Sequence, residues 1–178
     1  MSADDKDLTA ADDAAGDAIA AAVGRLPSGE RELARQGSEA ARRAARDDDD
    51  YGYLGGLVNM RAMTSDEGAV ELAMDVTPNA LNRYGYVHGG MLFTLADYAM
   101  GAAARTLVGE DASTVTLEAK ANYLGNVREG RLIARCTALH QTERMIMLET
   151  RIVEAKTDEL IMIVTGTYYI IPGKRDDE

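Results

Sequence analysis

Residues 82–107 read NRYGYVHGGMLFTLADYAMGAAARTL, and the way this stretch folds decides how the rest of the chain can be arranged. It opens with turn formers, tightens at His88-Gly89-Gly90 and continues as a long run of apolar and small residues with one acid, Asp97. The run predicts a helix ending near Val108-Gly109, with the glycine as a left-handed C-cap. A helix this apolar has to be covered nearly all round. Within it, a carboxylate costs free energy unless it is paired, neutralised or used.

The flanking sequence supplies what would cover it. On the N-terminal side, Leu57 to Met63 reads as a short strand and Ser65-Asp66-Glu67-Gly68 as a turn. Ala69 to Val76 then alternates, with Val70, Leu72, Met74 and Val76 on one face and Glu71 and Asp75 on the other. Thr77-Pro78-Asn79 ends that strand, since proline cannot donate to a ladder. On the C-terminal side come four strand-like runs: Ser113–Leu124, Arg131–His140, Met145–Ala155 and Leu160–Ile171. Their links are short and polar, which favours antiparallel neighbours over parallel crossovers. The expected fold is α+β: a five- to six-stranded antiparallel sheet wrapped around one long central helix.

Residues 1–50 differ from the rest. They are rich in Ala, Asp, Glu and Arg, hold few large apolar residues and close on the acidic run Asp47 to Asp50. Helices are expected over Ala10–Val23 and Glu30–Arg46, with Ser28 as an N-cap for the second. Neither has a strong apolar stripe, so an acidic, Ala-rich extension, helical or disordered, is expected ahead of one domain over residues 51–178.

The chain carries 30 acids against 19 bases, a net charge of −11. That surface argues against nucleic acid or an anionic membrane as partner. Acid-rich, lysine-poor surfaces also suit salt-loving organisms, where dense salt screens self-repulsion. The opening residues lack the basic and apolar regions of a secretory signal. Cys136 is the single cysteine, so no internal disulfide forms and a cytoplasmic location is expected. No His/Cys/Asp cluster has metal-ligand spacing, and no phosphate loop or dinucleotide fingerprint is present; neither metal nor cofactor is expected.

The chemistry concentrates in the opening stretch. The first N–H groups of a helix lack intrahelical partners and carry the positive end of its dipole. Gly89 allows a substrate close to that backbone, so its N–H can serve as an oxyanion donor. His88 can orient the loop or bond to the acyl group, and a glycine-rich helix start without a ligand is the plain alternative. Asp97 lies roughly 12 Å further along the axis, at 1.5 Å per residue. A general base or nucleophile must come within about 3 Å of its target. Within one subunit, Gly89 and Asp97 therefore cannot converge on one carbonyl, whereas two antiparallel copies of the helix about a two-fold axis can bring them together. The competing reading of Asp97 is a buried acid bonded to a neighbouring Thr, Tyr or backbone group.

The pattern Asn82…Gly85…His88-Gly89-Gly90…Phe93…Leu95-Ala96-Asp97…Ala99 resembles the signature of hotdog-fold acyl-CoA thioesterases of the phenylacetate-pathway (PaaI-like) family. The resemblance covers about Tyr51 to Ile171. It implies that Gly89 N–H polarises the thioester carbonyl and that Asp97 of a second subunit is the nucleophile or the base that activates water. Asn82 and His88 would shape the site and hydrogen-bond near the thioester. Thr116 would help position the water, with Thr114 as the alternative if the register slips. Gly90, Arg128 and Arg144 are substrate-binding candidates, the arginines for the phosphates of coenzyme A. Leu81, Tyr84, Tyr86, Val87, Phe93 and Met100 are candidates for lining the acyl pocket. The expected partners are an acyl-CoA substrate and further copies of the chain, as a homodimer or dimer of dimers. A non-catalytic acyl-CoA-binding module is the alternative function. A hydratase is disfavoured, because its relatives use a differently placed His and this chain has only His88 and His140.

Overall fold

The structure, a computed structural model, describes residues 18, 20–44 and 52–173. The chain divides between Asn59 and Met60 into two units. In the first, helix α1 (Ser28–Ala44) packs with helix α2 (Gly52–Leu57). The Pro27 carbonyl accepts from Glu30 and Arg31 N–H at 3.0 and 2.9 Å, so Ser28 is the first helical residue rather than the cap. Most of the helix expected over Ala10–Val23 and the acidic run Asp47–Asp50 lie outside the described residues.

The second unit holds six strands and one long helix. The strands are β1 (Met60–Asp66), β2 (Ala69–Asp75), β3 (Ser113–Tyr123), β4 (Arg131–Gln141), β5 (Met145–Glu154) and β6 (Leu160–Ile171). Helix α3 (Gly89–Arg105) lies between β2 and β3 in sequence. All strand pairs are antiparallel, in the order β1-β2-β4-β5-β6-β3. This is the expected α+β hotdog arrangement. Alternation carries it: Val70, Leu72 and Met74 of β2, Leu132, Ala134 and Cys136 of β4, Ile146, Leu148 and Ile152 of β5, and Met162 and Val164 of β6 are buried. Among the described residues, no helix is long and apolar enough to cross a membrane.

Three expectations are corrected. The strand predicted over Leu57–Met63 begins at Met60, because Gly52–Leu57 is helical. It also runs through Ser65 and Asp66, leaving a turn at Glu67-Gly68 in which Gly68 takes φ +70. Helix α3 ends at Arg105, with Thr106 in the αR region as its cap. Thr106 Oγ1 donates to Ala103 O and accepts from Gly68 N–H, while the Arg105 guanidinium donates to the carbonyls of Val108, Gly109 and Glu110. Side chains thus do the capping assigned to Gly109, which has an ordinary φ.

The link over residues 124–130 is short, yet β3 and β4 are not neighbours. The chain crosses β5 and β6 in roughly 20 Å of extended backbone, enough because strands sit about 4.8 Å apart. As a result β3 forms one edge of the sheet and pairs only with β6.

Coverage of the helix also differs from expectation. Its buried residues are Leu92, Leu95, Ala96, Ala99, Met100, Ala103 and Ala104, a single stripe at i, i+3, i+4 spacing. Phe93, Thr94, Asp97, Tyr98 and Gly101, on the other face, are only half-buried. The sheet therefore covers one side of the helix, and Asp97 lies half-buried at the margin of that cover.

Candidate active site

The loop before the helix is built by Asn82. Its Oδ1 accepts from the N–H groups of Tyr84 (2.9 Å) and Tyr86 (3.3 Å), while its own N–H donates to Tyr86 O at 2.7 Å. Gly85 closes the turn at φ +76, a conformation glycine adopts without strain. Arg128 crosses above this loop: Nη1 donates to Tyr84 O at 3.0 Å and the guanidinium stacks on the Tyr86 ring, 3.7 Å from its centroid. Val127 O and the Asn126 side chain bond to the Val87 backbone at 2.9 and 3.0 Å. Asn82 and Arg128 thereby fix where the helix starts.

His88 is the N-cap. Its N–H donates to Ala80 O at 2.7 Å, its carbonyl accepts from Met91 and Leu92 N–H, and its Nδ1 accepts from Gly90 N–H at 2.9 Å. The amides of His88, Gly90, Met91 and Leu92 are thus all engaged. Among the described residues, Gly89 N–H has no hydrogen-bond partner and lies at the positive end of the dipole. The Gly90 amide, a substrate-binding candidate, is spent on His88. Tyr123, from the end of β3, donates to Gly89 O at 3.3 Å, and a Cβ at Gly89 would lie 3.1 Å from its ring. A side chain at Gly89 would crowd this exposed ring.

Two turns further on, Thr116 Oγ1 of β3 and the Tyr168 hydroxyl of β6 both donate to Asp97 Oδ1, at 3.1 and 2.7 Å. The Tyr168 hydroxyl also reaches Asp97 O at 2.9 Å. Burial is the main cause that holds the Tyr168 phenol above its usual pKa, so it stays protonated and donates. The partners that the buried-acid reading of Asp97 called for are therefore present. They engage one oxygen only: among the described residues, Oδ2 takes no hydrogen bond. An anchored carboxylate with one open oxygen can accept a proton from water or attack a carbonyl.

Thr116 thus reaches Asp97, whereas Thr114, on the same strand, makes no such bond. Asn82, His88, Gly89, Gly90 and Arg128 gather at the start of α3, and Asp97 and Thr116 lie two turns away. Arg144 is on the β4–β5 turn, where its carbonyl accepts from Ile170 N–H at 2.8 Å. Of the pocket candidates, Val87 and Met100 are fully buried core. Cys136 is buried in β4, its thiol pushed up to about 11 by burial.

Sequence reasoning missed Tyr123 and Tyr168. A signal for Tyr168 was available: it falls on the inward register of β6 after Met162, Val164 and Gly166, and a buried tyrosine hydroxyl needs a partner. Tyr123, exposed at a strand end, carried none.

The sequence model of the thioesterase superfamily matches residues 84–161. The chain is 26% identical over 106 residues to a 1,4-dihydroxy-2-naphthoyl-CoA hydrolase of Listeria monocytogenes, covering 60% of this chain and 85% of that protein. It is 31% identical over 99 residues to the putative esterase ComA2 of Bacillus subtilis, covering 55% and 78% respectively. Among solved structures, the PaaI protein of the Escherichia coli phenylacetic acid degradation operon superposes with a TM-score of 0.65 at 22% identity, over 78% of this chain and 98% of that one. That last likeness is one of fold.

Proposed function

This chain belongs to the thioesterase superfamily and is a thioester hydrolase, and we propose that its substrate is an acyl-CoA with a small aryl or acyl group. In this reading, Gly89 N–H donates to the thioester oxygen as it gains negative charge. Asp97 of the partner subunit attacks the carbonyl carbon or takes a proton from the water that does so. The C–S bond breaks and the thiolate leaves and is protonated; where Asp97 attacks, water then hydrolyses the acyl-aspartyl anhydride, and either route releases the free acid. The observation that carries the reading is the single unpartnered amide of the first helical turn, matched by a carboxylate with one open oxygen on the same helix.

Their separation, roughly 12 Å along the axis, calls for a second copy. Two features support one. The half-buried face of α3 around Phe93, Thr94 and Asp97 suits a second helix. Edge strand β3 exposes Val115, Leu117 and Tyr123 and leaves one side of its ladder free. Thr116 marks the Asp97 end of β3 and Tyr123 the Gly89 end. An antiparallel β3–β3 pairing centred on Lys120, with the irregularity between Thr116 and Glu118 taken up as a bulge, sets Thr116 of one copy opposite Tyr123 of the other. That register superimposes the two halves of the site.

Arg128, already beside the Gly89 end, is our candidate for the anionic end of coenzyme A, with Arg144 as the second. The naphthoyl-CoA named for the Listeria relative favours an aryl thioester. We place the reaction in the cytoplasm on the strength of the single thiol, and read the acidic surface as salt adaptation. The test is thiol release from a panel of aryl- and alkyl-CoAs by the wild type and Asp97→Asn. Turnover on at least one thioester, lost in the variant, is expected. Binding without release across the panel would favour a non-catalytic acyl-CoA-binding module.

A further inference from the structure

We infer that Tyr168 is a positioning residue for the Asp97 carboxylate, setting its orientation. The inference rests on the catalytic reading of Asp97 given above and goes beyond it, since nothing so far assigns Tyr168 a part in turnover.

One hydroxyl bridges two atoms of the same residue: it lies 2.7 Å from Asp97 Oδ1 and 2.9 Å from Asp97 O. This ties the carboxylate to its own main chain and stops it rotating about the Cα–Cβ bond. Thr116 donates to the same oxygen. Two donors on Oδ1 and none on Oδ2 make the carboxylate asymmetric, with the open oxygen pointed in one direction only. A lone carboxylate on a half-exposed helix face would sample several rotamers, and misplacement of a reacting group is costly to rate.

The fold makes room for this contact. Tyr168 is 3% exposed and packs across the helix at Gly101, where a Cβ would lie 3.7 Å from the hydroxyl. One residue pair along the sheet, Thr116 and Tyr168 are direct register partners, so β3 and β6 deliver both donors together.

The test compares wild type, Asp97→Asn, Tyr168→Phe and 3-fluorotyrosine at position 168, each assayed for thiol release on the best acyl-CoA. Tyr168→Phe keeps the ring and deletes the donor. Its kcat is expected to fall roughly ten- to a hundredfold, the worth of a hydrogen bond to a charged group. KM should stay within about twofold, as expected for an interaction that acts in the transition state. Fluorination keeps the donor and should keep kcat within about twofold of wild type. A merely structural tyrosine would change the melting temperature without this split between kcat and KM. Wild-type kcat in a folded Tyr168→Phe, or a fluorinated protein as slow as Tyr168→Phe, overturns the inference when Asp97→Asn is inactive. Full activity in Asp97→Asn instead overturns the reading of Asp97 itself, so the two failures are distinct.

Discussion

Replacing Gly89 with proline removes one atom pair from the proposed site and little else. Gly89 is the first residue of α3, the helical position where proline is tolerated, since that N–H has no intrahelical partner to lose. Proline also demands an extended residue before it, and His88 already sits at φ −64 and ψ 134. The added ring carbons must share space with Tyr123, whose Cε1 would be 3.1 Å and Cζ 3.5 Å from a Cβ at this position. Tyr123 is 54% exposed and can give by a few tenths of an ångström. Gly89→Ala makes the same contact and keeps the N–H, so the pair separates the donor from the crowding. Losing one oxyanion donor costs about 2.7–4 kcal/mol, roughly a hundred- to a thousandfold in kcat. Saturating thiol-release assays should show that drop in Gly89→Pro relative to Gly89→Ala, with similar melting temperatures. Equal kcat in the two variants would refute the oxyanion assignment.

The proposed sharing of the site between two subunits makes a stoichiometric forecast. When Gly89→Pro and Asp97→Asn subunits are mixed and exchanged, each heterodimer holds one intact site of two, so about a quarter of wild-type activity should return; no recovery after exchange confirmed by mass spectrometry argues for a site within one subunit. Gly166 lets the helix sit close to β6: a Cβ there would lie 2.9 Å from Met100 Sδ and 3.2 Å from Glu118 O. Met100 is fully buried, so Gly166→Ala should destabilise by about 1–3 kcal/mol in denaturant titration, and an unchanged midpoint would mean the core has slack. Asp75 bridges Arg61 and Arg131 at 2.9 and 2.6 Å. Its desolvation raises the pKa, but the hydrogen bonds and charges of Arg131 and Arg61 outweigh this, and the carboxyl lies below its ordinary 3.8. The resulting stability is present above that value and lost as pH falls through the lower folded one. Asp75→Asn should flatten this part of the melting temperature's acid slope, and cost about 1 kcal/mol or less at pH 7; a slope identical to wild type would exclude the contribution.

Much of this was legible because periodicity and punctuation agree. The runs beginning at Ser113, Arg131, Met145 and Leu160 became strands within one residue of the expected bounds, since alternation and short polar links specify strands locally. Pairing partners were less legible. Nothing in residues 124–130 shows that β3 leaves β4 and lies beyond β6, because a short link constrains distance and says nothing of order. Gly89 and Asp97 stood out as a backbone exception and a lone charge. Tyr168 did not, because its role depends on a register between strands 52 residues apart, Thr116 against Tyr168. Gly109 misled for the converse reason: a local cap signal was overridden by Thr106 and Arg105, whose contacts come from tertiary structure.

The strand order also bears on how the molecule is made. β3 emerges from the ribosome before β4, β5 and β6, yet its hydrogen-bonding partner is β6, the last of the six in sequence. Until β6 is synthesised, β3 is a strand with both sides of its ladder open, and Asp97 lacks the hydroxyl of Tyr168. Local pairings form early, and those that close long loops form late. The β4–β5–β6 meander is thus the natural first structure, with helix α3 and β3 docked onto it afterwards. Chains that stop short of Leu160 should be insoluble as well as inactive, since they leave the β6-facing side of β3 unpaired as well as the side proposed for a second copy.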